Sequence, residues 1–163
     1  MDKYQQSRKD KLFKSEHRDP YLETHRPKES ARCPQCGVTY TAGRWAWHAQ
    51  APAGAVEDVV CPACRRIADR APAGRVRLSG AFLQGHRDEI THLLRNTETR
   101  EKPDHALERL IEIVEEGDEL VVTTTGMHLA NRIGHALEAA YDGDSDYRYS
   151  DSELFLSVDW RRD

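Results

Sequence analysis

Four cysteines carry the clearest chemistry in this chain, as Cys33-Pro34-Gln35-Cys36 and Cys61-Pro62-Ala63-Cys64. Each pair spaces its thiols two residues apart, and 24 residues separate Cys36 from Cys61. Such a turn aims both sulfurs at one point, so two turns supply the four thiolates of a tetrahedral Zn²⁺ site. A site closed by four protein ligands is structural, because no coordination position is left for substrate. The spacing therefore predicts a non-enzymatic binding module with Zn²⁺ as its cofactor.

Two other readings of the cysteines compete. A redox Cys-x-x-Cys commonly holds a proline, as each pair here does, but a thioredoxin-type site uses one such motif at a strand-to-helix junction. A zinc deaminase needs a His-x-Glu partner and an open metal position, and no such motif precedes either pair.

The elements around the cysteines divide the chain in three. Residues 1–32 hold nine Lys and Arg, six Asp and Glu, and the aromatics Tyr4, Phe13 and Tyr21, with almost no aliphatics. No helical or strand period runs through them, which predicts an arm that is disordered alone. It either orders on nucleic acid through cations and aromatics or is a free terminus. Residues 33–75 form the zinc ribbon. Its segment between the two pairs is long enough for a hairpin or loop bearing Trp45, Trp47 and His48, and Pro-Ala-Gly recurs at 52–54 and 72–74 as turn and linker. A unit this small buries little core, so metal should supply most of its folding energy.

Residues 76–163 read as an α+β domain. Val76, Leu78 and Phe82 mark a first strand, with Gly80 as a bulge or close approach. Ile90, Leu93 and Leu94 have helical spacing. Pro103 and Asp104 open a second helical stretch with Leu107, Leu110, Ile111 and Val114 on one face, closed by Gly117. Leu120–Thr125 is a β-branched strand. Leu129, Ile133, Leu137 and Ala140 mark another helix, before strands at Tyr147–Ser150 and Leu154–Trp160. The predicted order is β-α-(α)-β-α-β-β, a mixed sheet under helices behind a small ribbon.

Charge divides along the same line. Residues 1–75 carry 14 Lys and Arg against 9 Asp and Glu, a net +5; residues 76–163 carry 10 against 19, a net −9. A basic front and an acidic back suggest that the front meets a polyanion such as RNA, although ordinary surface scatter gives the same sums. Within the front, Trp45 and Trp47 would share one face of a strand beside the cation Arg44, a surface suited to stacking on unpaired bases. The tryptophans would equally serve as the ribbon's own small core. Arg65 and Arg66, just after the second pair, are candidate phosphate contacts or solvent-facing cations.

The remaining polar clusters are weaker. Eight histidines are present, and His128 and His135 could share a helical face, but spacing alone favours exposed or satisfied histidines over a metal site. Thr123-Thr124-Thr125-Gly126 lacks the Lys and further glycines of a phosphate loop. Glu115, Glu116, Asp118 and Glu119 flank Gly117 in what reads as a solvated turn. No nucleophile–base set stands out, so neither catalysis nor a small-molecule substrate is expected. No apolar run is long enough to cross a membrane, the charged N-terminus does not read as a secretory signal, and thiols without a disulfide framework predict a cytoplasmic protein.

The cysteine turns, with Arg65 and Arg66 and then Gly80-Ala-Phe-Leu-Gln-Gly-His-Arg-Asp-Glu-Ile90, resemble a family of small bacterial zinc-ribbon proteins. Their ribbon is similar to that of the archaeal and eukaryotic large-subunit export adaptors, the Nmd-three proteins. The back half resembles, in topology, the C-terminal domain of bacterial translation initiation factor three: a helix into Glu116, Gly117 and Asp118, then a strand, a helix and two strands. These resemblances imply a partner in the ribosome or another structured RNA, with the acidic domain facing basic ribosomal proteins, and a role in stress or ribosome hibernation. A protein–protein adaptor, using the ribbon to dock on a polymerase or regulator, is the alternative.

Overall fold

A computed structural model describes residues 19–47, 54, 56–152 and 154–163 of the chain. Residues 1–18 of the predicted arm and His48 lie outside the described residues.

The ribbon is built from very short elements. A one-turn helix, α1 (Pro20–Glu23), is capped by the Asp19 carboxylate, which accepts from the Tyr21 N–H at 2.9 Å. Strands β1 (Ala31–Arg32), β2 (Thr39–Thr41), β3 (Arg44–Ala46) and β4 (Glu57–Asp58) form a sheet in the order β3-β2-β1-β4. β2 and β3 are a hairpin whose two turn residues, Ala42 and Gly43, both have positive φ, the geometry that matches strand twist. After β4 comes α2 (Pro62–Asp69), with Cys61 as its N-cap and Pro62 at its first position.

The described part of the predicted arm is not free. β1 pairs antiparallel with β2 and parallel with β4, and Asp19 forms an ion pair with Arg66 at 2.9 Å. Residues 19–32 thus pair with and pack against the ribbon. The contacts that order them come from residues far along the chain, which no local periodicity could register.

The second unit comprises β5 (Gly74–Ser79), α3 (Ala81–Glu101), β6 (Leu110–Glu116), β7 (Glu119–Thr124), α4 (Met127–Tyr141), β8 (Asp144–Ser150) and β9 (Phe155–Arg161). Its strands lie in the order β6-β7-β5-β9-β8, with β5 parallel to β9 and every other pair antiparallel. The class is α+β with mixed strand directions, as the sequence predicts. Val76, Leu78, Val122, Leu156, Val158 and Trp160 from the sheet close with Leu83, Ile90, Leu94, Leu129, Ile133 and Leu137 from the two helices. Arg75, Arg77, Thr123, Ser157 and Asp159 alternate with them and are exposed or half-buried. Gly80 is a close approach: its φ is 104°, and a Cβ there would collide with the Arg162 carbonyl. The chain turns at that glycine into α3, so Phe82 is helical rather than the end of the first strand.

One predicted element changes type. The helix expected from Pro103 to Gly117 is a turn-rich loop over residues 102–109 followed by β6. Leu107, Leu110, Ile111 and Val114 do fit a helical period, but Ile111, Ile113 and Val114 are β-branched and suit a ladder equally. The tight turn at Gly117 and Asp118 decides between them by folding β6 back on β7, pairing Glu116 with Glu119. Gly117 has φ 61° with nothing within 4 Å of a built Cβ. Gly117→Ala should therefore destabilise the domain by about 1 kcal/mol through backbone conformation alone. Urea unfolding of the variant checks this, and an unchanged midpoint would contradict it.

Candidate metal centre

The first cysteine pair leaves β1 in a tight turn. Cys33 N–H donates to the Val38 carbonyl at 2.8 Å, Gly37 N–H donates to the Cys33 carbonyl at 2.9 Å, and Gly37 takes φ 83°. The second pair opens α2, where Cys61 Sγ accepts from the Cys64 N–H at 3.3 Å. These two local structures bring all four sulfurs within 4.8 Å of one another, with no disulfide. Cys36 Sγ and Cys61 Sγ are 3.7 Å apart. A tetrahedral ion with metal–sulfur bonds near 2.3 Å needs sulfurs separated by about 3.8 Å, so the set fits one metal ion. The second pair sits at a helix N-terminus, where a redox pair would also sit, yet its sulfurs converge with the other two.

The thiols differ in how readily they ionise. Burial opposes ionisation of Cys33, but the backbone N–H groups of Cys61, Cys36 and Gln35 outweigh it and bring the thiol down to about 7. Burial and the neighbouring sulfurs push Cys61 and Cys64 up. Four thiolates, three of them buried and Cys36 half-buried, cannot coexist without positive charge among them.

Part of that charge comes from a residue the sequence reading passed over. Arg109, in the loop between α3 and β6, is 7 % exposed and donates from Nη2 to Cys36 Sγ at 3.1 Å and from Nη1 to Cys64 Sγ at 3.4 Å. Its Nε donates to the Ala106 carbonyl at 3.2 Å, and its backbone N–H donates to Thr125 Oγ1 at 2.8 Å. Ala106 and Leu107 from the same loop pack with Val38 and Ala63 around the cysteines. The second domain thus closes one side of the sulfur cluster. No local pattern marks Arg109, because its partners lie 45 and 73 residues earlier in the chain.

Trp47 joins the same contact. Its Nε1 donates to the Lys102 carbonyl at 3.0 Å, with Lys102 Nζ and Arg109 Cζ lying 5.3 and 5.5 Å from the ring centroid. Trp45 packs edge-on against Tyr40 with ring centroids 5.3 Å apart, and both tryptophans border the cysteine cluster. The tryptophan pair is thus part of the ribbon's core and its seam with the second domain.

The expected RNA-facing cations separate as well. Arg66 is 8 % exposed, bonded to Asp19 and to the Ala71 carbonyl at 2.8 Å, with its guanidinium 4.3 Å from the Tyr21 centroid. The Arg66 guanidinium is thus engaged within the protein. Arg65 is half-buried and donates to the Tyr21 carbonyl. Arg44 is exposed at the start of β3.

The weaker clusters resolve into structure. Thr125 Oγ1 donates to the Leu107 carbonyl at 2.6 Å, anchoring the sealing loop, and Thr124 is buried. Glu108 caps α4 from a distance by accepting the Leu129 N–H at 3.0 Å. Glu115, Glu116 and Asp118 are exposed at the hairpin turn, as expected of a solvated cluster. His135 faces Glu138 and Tyr147, whereas His128 faces Glu101 and His105, so the two do not share a site.

No protein-family model, no curated protein and no solved structure matches the chain. Fold and site by themselves define an α+β protein carrying a four-cysteine group that can hold a metal ion. Among the described residues, no helix is long and apolar enough to cross a membrane.

Proposed function

We propose that Zn²⁺ fills the four-thiol centre and that the chain is a non-enzymatic, cytoplasmic protein that binds the ribosome. The observation that carries the first part is the closed set of four sulfurs covered by Arg109. Soft tetrahedral sulfur ligation suits zinc, and a covered centre holds shape rather than substrate.

Support for the ribosome comes from charge and from the ribbon's resemblance to the export adaptors. The +5 of residues 1–75 would meet ribosomal RNA, and the −9 of residues 76–163 would face basic ribosomal proteins. Arg44, the outer part of Trp45 and Arg65 are the remaining candidates for RNA contact. Occlusion of an idle ribosome during stress extends the same reading. Sucrose-gradient sedimentation of the tagged protein tests it: the protein should travel with ribosomal particles at low salt and leave them at high salt. Absence from every ribosomal fraction at low salt would overturn it.

One observation favours the rival adaptor reading. Trp47 and Arg66, two of the five residues nominated for RNA, are engaged inside the protein. An adaptor should retard RNA only weakly in a gel, without sequence preference, and lose it near physiological salt.

A further inference from the structure

A second group of ligating side chains lies across the end of α3, the sealing loop and the start of α4. Glu101 is the last residue of α3, the turn after it returns His105, and His128 is in the first turn of α4. One ligand atom from each lies within 4.8 Å of the others. Glu101 Oε2 is 2.9 Å from His128 Nε2 and 3.8 Å from His105 Nε2, and the two rings lie face to face at 4.1 Å with a 35° tilt.

We infer that Glu101, His105 and His128 form a second, exchangeable binding site for a divalent transition-metal ion such as Zn²⁺. Two imidazoles and a carboxylate are the ligand set of three-residue zinc sites that keep a fourth position for water. Bonds of 2.0–2.1 Å in a tetrahedron put ligand atoms about 3.3 Å apart, and the two measured separations bracket that value. A simple ion pair explains the group less well. At 3.8 Å, His105 is beyond hydrogen-bond range of the carboxylate it faces, while a bound ion would engage all three residues.

The surroundings supply what such a site needs. Arg132 Nε donates to Glu101 Oε1 at 2.9 Å, fixing the carboxylate so that Oε2 is the atom turned to both histidines. The side chains of His105 and His128 are 46 % and 38 % exposed, so an ion can enter from solvent and leave again. His105 also shares the 102–109 loop with Arg109, so an ion here would tie that loop to α3 and α4 while Arg109 covers the thiols.

The test counts metal. The full chain and a His105→Ala/His128→Ala variant are dialysed to equilibrium against free Zn²⁺, and bound zinc per chain is measured by atomic emission. The variant should hold one equivalent fewer than the parent. Because both histidines are partly exposed, the variant should keep its fold, which circular dichroism checks. Glu101→Gln, which leaves the rings in place, should weaken the lost equivalent at least 10-fold. Co²⁺ added to the parent carrying a single equivalent of zinc, at the thiols, should give d–d absorption without a sulfur charge-transfer band, and the variant so loaded should give none. Equal zinc in parent and variant would overturn the inference. Failure of the cysteine centre to hold zinc would lower both totals by one and leave their difference unchanged.

Discussion

Removing the metal from the four-thiol centre should unfold the ribbon, residues 19–72, and leave the sheet-and-helix domain standing. Buried apolar residues in the ribbon include Ala31, Val38, Tyr40 and Ala63, and three of its other buried residues, Cys33, Cys61 and Cys64, belong to the four-thiol group. Two of its four strands are two residues long. Such a unit cannot offset the conformational entropy of its own chain. Structural zinc sites supply about 10–16 kcal/mol to small peptides at neutral pH, as much as the whole stability of an ordinary domain. The second domain has its own core of Leu, Ile, Val and Trp160. Hydrogen exchange with and without a strong chelator reads both units at once. Protection should vanish over residues 31–69 and persist over 74–161. Retained protection in the ribbon after metal removal would refute a metal-dependent fold, and Cys61→Ser should reproduce the chelator's effect.

Arg109→Met should weaken metal binding at the thiols by about 100-fold, close to 3 kcal/mol. Four thiolates around a divalent ion leave two net negative charges in a largely buried place, and Arg109 answers them with one charge and two N–H···S bonds. Methionine keeps much of the apolar stem and removes both, so the loss reports charge and donors rather than a cavity. Lysine keeps the charge without the planar pair of donors and should restore only part of the affinity. Competition against a chromophoric chelator measures the series. Identical affinities for Arg, Lys and Met would remove Arg109 from any role at the centre. The same substitution should loosen the seam where Trp47 meets Lys102, since Arg109 also lies against the Trp47 ring.

What local pattern could express was legible. The cysteine turns need only a few neighbouring residues to aim their sulfurs, so their spacing identified the ligands. Leu129, Ile133 and Leu137 bury one face of α4, and Leu156, Val158 and Trp160 bury one face of β9, because each period belongs to its own element. Gly80 was readable as a bulge or a close approach, and its φ and the Arg162 carbonyl beside it make it the latter.

The misreadings share one cause. Residues 110–116 fit two periods, and pairing with β7 chose the strand. Residues 19–32 have no period, and β2, β4 and Arg66 order them. Arg66 and Trp47 stood open between surface chemistry and internal packing, since a guanidinium or an indole in a sequence does not reveal whether its partner is RNA or the same chain.

By itself, then, the sequence determined the four-cysteine group, the α+β class and most of the helical and strand faces, all properties set within one turn or one strand. Only the tertiary structure decided that Arg109 would reach the sulfurs, that Trp47 would join ribbon to domain, and that Glu101, His105 and His128 would meet. Those contacts join residues tens of positions apart, and their energy exists only after both units have folded and docked, so no stretch of chain carries its imprint.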